Sequence, residues 1–215
     1  MNDFLKILAE NNIYFDYIFD IGAGIGHESN ILSNRFSDKK VFSFECNPEC
    51  ISKFQRSEKI SLIEKAVWES DGYIDFYPVV NGNHHASSVL LATDEYNKNE
   101  HNYGYLHQPF SINVESIKLD TFVEQNNLQN EKGIIWIDLQ GAELNALKGM
   151  SKYIGNIQAI WTEVEYRQIY KDQDLFDGVI QFMNEHRLNL VFPDKDTISS
   201  RIESGQWWDD FCFIR

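Results

Sequence analysis

Short apolar runs alternate along the chain with longer stretches whose apolar positions recur every three or four residues, the pattern of strands and helices laid around a parallel sheet. Residues 3–11 carry a helical stripe. Tyr17-Ile18-Phe19-Asp20-Ile21 is a buried strand with a single acid in it, and Gly22-Ala23-Gly24-Ile25-Gly26 turns the chain into a helix over 27–36. A second strand spans 41–45, and Asn47-Pro48 opens a second helix, with Asn47 as its cap and Pro48 at its first position. A third strand is expected over 60–67, then a hairpin turn at Asp71-Gly72 and a strand over 73–77. Residues 112–119 read as extended, with Asp120 capping a helix to 127. A core strand over 133–139, a helix from Gly141 to Met150, a strand over 157–166, a helix over 175–186 and strands over 188–192 and 209–214 complete the pattern. The stretch from about 81 to 109 has no period and is rich in His, Asn and Tyr. Long irregular insertions of this kind serve as lids or substrate loops.

Composition narrows the class. A chain of 215 residues without repeats, low-complexity segments or a Pro-rich linker reads as one domain over 1–215. The formal net charge of -14 argues against nucleic acid and against anionic lipid as partners. No apolar run reaches the ~18–20 residues of a membrane span. The opening MNDFLKILAENN has neither a basic start nor a small-residue cleavage site, so a cytoplasmic location is expected. The three cysteines, Cys46, Cys50 and Cys212, lack zinc-site spacing and read as free thiols.

The candidate chemistry begins at the glycine turn. Glycines at a strand-to-helix junction let the backbone turn tightly and admit a ligand, and the helix behind them offers unpaired N–H groups. Glu45, at the end of the second strand, is placed to accept ribose hydroxyls. The dinucleotide fingerprint G-x-G-x-x-G fails here, because His27 stands where the third glycine belongs. Asp20, Gly22, Gly24 and Gly26 instead follow the Asp-x-Gly-x-Gly-x-Gly pattern of S-adenosylmethionine (SAM) binding in class I methyltransferases, in which Asp20 suits the ligand's ammonium group. On the acceptor side, Asp138 ends one core strand and Glu163 lies near the end of the next; either carboxylate can bind or deprotonate a hydroxyl. Glu163 and Glu165 are read as pointing to opposite faces of their strand, so at most one is expected to face the cleft. His85, beside His84 in the polar stretch, is the candidate base nearest neutral pH. A divalent ion is conceivable, but no ligand set is assigned to one.

Three further segments carry a family resemblance. Ile134-Ile135-Trp136-Ile137-Asp138-Leu139-Gln140-Gly141-Ala142-Glu143, with the helix after it, resembles the I-D-V-E-G-A-E-x-x-V-L-x-G signature of the FkbM family of SAM-dependent methyltransferases. Ile117-Lys118-Leu119-Asp120-Thr121-Phe122 and Trp208-Asp209-Asp210-Phe211-Cys212-Phe213 are similar to that family's flanking pieces. Gln140 departs from the signature, which has an acid there. The resemblance implies a Rossmann-like class I methyltransferase fold, with helices on both faces of a mostly parallel sheet and an antiparallel C-terminal strand. It also implies SAM as cofactor, with Asn47 and Ala66 added to the residues that hold it. The implied activity is methyl transfer to a hydroxyl on a small molecule or glycan; a homo-oligomer is left open. Two alternatives stand beside it, an NAD-dependent oxidoreductase and a catalytically silent SAM-fold subunit.

Overall fold

The computed structural model describes residues 1–80, 86–98 and 106–215. Its strands are β1 (Tyr17–Ile21), β2 (Lys40–Phe44), β3 (Ile60–Ile63), β4 (Ala66–Val67), β5 (Gly72–Phe76), β6 (Ile112–Ile117), β7 (Gly133–Ile137), β8 (Ile157–Glu165), β9 (Asn189–Phe192) and β10 (Trp208–Ile214). Among them run helices α1 (Asn2–Glu10), α2 (His27–Arg35), α3 (Pro48–Lys53), α4 (Asp94–Lys98), α5 (Leu119–Gln125), α6 (Glu143–Lys148), α7 (Phe176–Glu185) and α8 (Lys195–Glu203). Seven strands form one sheet in the order β3-β2-β1-β7-β8-β10-β9. β10 runs antiparallel to both β8 and β9, while the pairings of β1, β2, β3, β7 and β8 are parallel.

Alternation along the strands sorts the core into two layers, as a sheet covered on both faces requires. Tyr17, Phe19 and Ile21 of β1 join Phe42, Phe44, Ile135 and Ile137 on one face, beneath Phe122 and Val123 of α5 and Leu144 and Leu147 of α6. The Phe122 ring meets Phe44 at 4.8 Å and Phe19 at 5.6 Å between centroids, both edge-on. Ile18, Val41, Ile134 and Ala159 face the opposite layer, with Phe4 and Leu8 of α1 and Leu32 of α2. β1 lies at the point where strand order reverses, with β2 on one side and β7 on the other. Ligands of open α/β sheets bind beyond the carboxyl ends at this switch point.

The third strand departs from expectation. It ends at Ile63, where Lys65 N–H folds back to donate to Ile63 O at 2.9 Å. The chain then leaves the main sheet as β4, which pairs in parallel with β6. No hairpin forms at Asp71-Gly72, because the strands flanking that turn do not pair with each other. β4 and β5 lie on opposite sides of β6, with Ala66 and Gly72 both opposite Ser116. Asp71 instead accepts from Lys118 N–H at 2.8 Å and from the Thr121 hydroxyl at 2.7 Å, and so holds the start of α5. The cap expected of Asp120 is therefore absent: Asp120 is buried and accepts from Lys152 and Tyr153 N–H, which ties α5 to the segment after α6. α8, which the periodicity does not reveal, is capped by Asp194 accepting from Thr197 N–H at 2.9 Å.

The described part of the expected irregular stretch includes α4 and has a small core of its own. Ala86, Ala92, Tyr96 and Leu106 pack with Val79, Ile169 and Tyr170, and Trp207 and Trp208 lie against them. The two tryptophans thus serve packing. Among the described residues, no helix is long and apolar enough to cross a membrane.

Candidate active site

The glycine turn is built for close approach. Gly22 and Ala23 N–H donate to Phe44 O at 3.0 and 2.9 Å, which fastens the turn to the end of β2. Gly22 has φ +80°, and a Cβ there would stand 1.8 Å from the Asp138 carbonyl oxygen, so only glycine lets the turn pass the end of β7. Asp138 N–H in turn donates to Ile21 O at 2.9 Å. Gly26, the N-cap of α2, is left-handed at φ +85° and abuts the Phe54 ring, so backbone and packing both call for glycine there.

Glu45 is buried and held by three backbone donors. Its Oε2 accepts from Gly24 N–H at 2.7 Å, and its Oε1 accepts from Cys46 N–H at 2.8 Å and Asn47 N–H at 2.7 Å. A carboxylate has about four acceptor sites, so these bonds leave room for one further hydroxyl unless Gly24 yields its place. Burial raises the Glu45 pKa and the three amides oppose that rise. Asn47 caps α3 by accepting from Glu49 N–H at 3.0 Å.

Beyond the carboxyl ends of β1, β2 and β7 lies a cavity of about 450 Å³, inside the range of about 300–1,000 Å³ usual for small-molecule sites. The predicted Gly22, Gly24, Glu45, Asn47, Ala66 and Asp138 all line it. The kink between β3 and β4 is what carries Ala66 to that wall. Asp20 and Gly26 do not line it. Asp20 lies fully buried, its Oδ2 accepting from the Ser29 hydroxyl, which is itself 2.7 Å from the Ser43 hydroxyl; its Oδ1 has no partner. Burial pushes its pKa up to about 7, with Glu28, Glu45 and Asp138 adding to the rise and Ser29 opposing it. An orphaned buried carboxylate oxygen beside an anionic wall fits a ligand carrying positive charge.

Carboxylates crowd the other side. Glu143, Glu163 and Glu165 are raised above the ordinary range, chiefly by burial: Glu165 and Asp138 add to the rise of Glu143, Asp138, Glu165 and Glu143 to that of Glu163, and Asp138 to that of Glu165, which reaches about 7. The expectation that Glu163 and Glu165 point to opposite faces fails, because residues two apart on a strand share a face; neither of them lines the cavity. Asp138 is on the cavity wall and Glu163 is not. Glu143 turns back to accept from Leu139 N–H at 2.6 Å. Among the described residues, no group of three His, Cys, Asp or Glu is arranged to hold a metal ion. His85, with His84, lies outside the described residues.

Sequence reasoning overlooked several wall residues. Lys65, Ser88 and Cys50 line the cavity without any motif to announce them. Gln140 also lines it, and its departure from the signature is the one signal that marks it. Its side-chain amide donates to Asp138 Oδ1 at 2.5 Å.

An open sheet with one antiparallel strand inserted next to its edge, and a glycine turn and acid at the ends of β1 and β2, defines a class I SAM-dependent methyltransferase. The model of the Methyltransferase FkbM domain matches residues 20–189, and the chain belongs to that family. It is 25% identical over 182 residues to the 2-O-methyltransferase NoeI of Sinorhizobium fredii, covering 82% of this chain and 74% of that one. It is 24% identical over 170 residues to the hexuronic acid methyltransferase AglP of Haloferax volcanii, covering 75% of this chain and 61% of that protein's length. Among solved structures, a SAM-dependent methyltransferase from Clostridium acetobutylicum is similar at a TM-score of 0.49 and 10% identity, over 98% of this chain and 88% of that one.

Proposed function

We propose that this chain transfers a methyl group from SAM to a sugar hydroxyl, with Glu45 and the Gly22–Gly26 turn holding the cofactor and Asp138 serving the acceptor. One observation carries the reading: Glu45 and Asp138 line the same cavity, and the turn between β1 and α2 touches the Asp138 backbone. SAM supplies an electrophilic methyl carbon on a sulfonium. Everything else falls to the chain. Glu45 orients a ribose hydroxyl, and the turn's exposed backbone takes the amino-acid end. Asp138 accepts a hydrogen bond from the acceptor hydroxyl, fixes it in line behind the methyl carbon and takes its proton as the new C–O bond forms. The neighbouring carboxyls, raised by burial, offer that proton a local reservoir.

The sugar acceptor is supported by the names of the two curated relatives, one a 2-O-methyltransferase and the other acting on a hexuronic acid. Ser87, Ser88 and Val89, on the cavity wall with Gln140, form the acceptor flank of the single domain. The test is transfer of tritiated methyl from SAM to a panel of methyl glycosides (neutral hexoses, 6-deoxyhexoses, hexuronic acids), with SAM and NAD affinity measured in parallel by calorimetry. Labelled glycoside and SAM binding tighter than NAD are expected. SAM binding with label on no glycoside would overturn the sugar reading, and tighter NAD binding would overturn the cofactor.

A further inference from the structure

Gln140 stands in an unusual position. Its backbone is left-handed at φ +56°, followed by Gly141 at φ +93°, a conformation that a non-glycine residue holds only when its surroundings impose it. Those surroundings grip it at two points. Its carbonyl accepts from the Ser88 hydroxyl at 2.8 Å, and its side-chain Oε1 accepts from the Tyr170 hydroxyl at 3.2 Å. The Tyr170 ring is buried, its hydroxyl also lies 3.1 Å from Ala86 O, and its pKa is raised far above the ordinary value by burial, so it remains a donor. The reversal at Gln140 folds the side chain back over two residues, where Nε2 donates to Asp138 Oδ1 at 2.5 Å. A carboxylate only accepts, so the NH₂ end must face Asp138 and the oxygen must face Tyr170.

The groups that face Asp138 make this bond consequential. Asp20 comes from β1, Glu45 from the end of β2, Glu143 from α6, and Glu163 and Glu165 from β8, all of them carboxyls electrostatically linked to it. Lys65, on the same wall, is ion-paired with Glu115. Each of those carboxyls, when ionised, disfavours a charged Asp138, whereas a donor from a neutral amide favours it without adding charge. An acid at position 140, as in the signature this chain resembles, would stand in direct contact with Asp138, and the two would share one proton and titrate as a pair.

We propose that Gln140 is a positioning residue: oriented by Tyr170 and Ser88, its amide aims the Asp138 carboxylate and favours its ionised form. The role in catalysis rests on the reading of Asp138 as the acceptor base; the hydrogen-bond function does not.

The test uses the full chain labelled with aspartate enriched in ¹³C at the side-chain carboxyl, with the Asp138 resonance assigned by its loss in Asp138→Asn. Its midpoint is followed with pH in the wild type, Gln140→Met and Gln140→Glu. The expected order is wild type lowest, Met higher and Glu highest, the last by about one pH unit or more. The acid limb of the methyl-transfer pH profile should move in the same order, with SAM affinity unchanged. A purely structural role would lower the rate equally at every pH and leave the midpoint in place, and an unmoved midpoint in both variants would overturn the proposal. A midpoint that moves while the rate limb stays fixed would leave the positioning intact and overturn Asp138 as base. Should the Glu variant fail to fold, the Met variant alone decides.

Discussion

The two sides of the cavity are built from different materials. On the side proposed for the cofactor, backbone groups do most of the work. Gly24, Cys46 and Asn47 N–H hold Glu45, Gly22 and Ala23 N–H hold Phe44 O, and all of these groups fall within one βαβ unit. On the side proposed for the acceptor, side chains do it. Gln140, bonded to Asp138 two positions away, is tied to Tyr170 and Ser88 across 30 and 52 positions of sequence, and buried carboxyls with raised pKa values stand beside them. Backbone donors at a fixed turn recognise an invariant ligand cheaply, because their geometry comes with the fold. Side chains gathered from distant segments can be altered singly, which suits a surface that must fit one acceptor among many.

The division can be attacked from its acceptor side first. Asp138→Asn keeps the size and most of the hydrogen bonding of the residue but cannot take a proton. Turnover should fall by about 10²–10⁴-fold with SAM affinity retained. Steady-state rates and calorimetry on the same preparation check both halves of that statement.

Next in size is a stability effect from beneath the glycine turn. The folded Asp20 carboxyl titrates near 7 against an ordinary 3.8, so the native state binds more protons than the unfolded chain between those values. Stability from this group is therefore complete below about pH 4 and is lost as pH rises to about 7, by about 4 kcal/mol. Asp20→Asn should flatten that slope in urea unfolding followed across the window. A slope unchanged by the substitution would place the loss elsewhere.

Glu45→Ala should weaken SAM by about 1–3 kcal/mol, the cost of losing a charged acceptor. The smallest effect belongs to the link between the halves. Ser88→Ala removes the donor to Gln140 O and should cost about 1 kcal/mol of stability, read from the denaturation midpoint.

The same division explains what the sequence made legible. The order of strands and helices could be read because each element's apolar period is local, and the turn and Glu45 could be read because the cofactor side lies within one βαβ unit. The split of the third strand could not, since Ala66-Val67 is apolar enough for either sheet and only its pairing with β6 decides. Asp71 looked like a turn residue and proved to hold α5 from 47 positions away. Gln140 was visible as a departure from a signature, yet its partners Ser88 and Tyr170 carry no motif. Glu165 and Glu143 became part of the acid cluster only through packing. The resemblance named the family and left the acceptor chemistry to be found in tertiary contacts.

The separation of roles is tested most directly by single-turnover methyl transfer to a glycoside acceptor at saturating SAM, compared between Glu45→Gln and Asp138→Asn. With the cofactor site filled, Glu45→Gln should return to within about threefold of the wild-type rate, while Asp138→Asn should remain depressed by about 10²-fold or more at every SAM concentration. A Glu45→Gln rate that saturation does not restore, or an Asp138→Asn rate equal to wild type, would contradict the assignment of cofactor binding to one wall and methyl acceptance to the other.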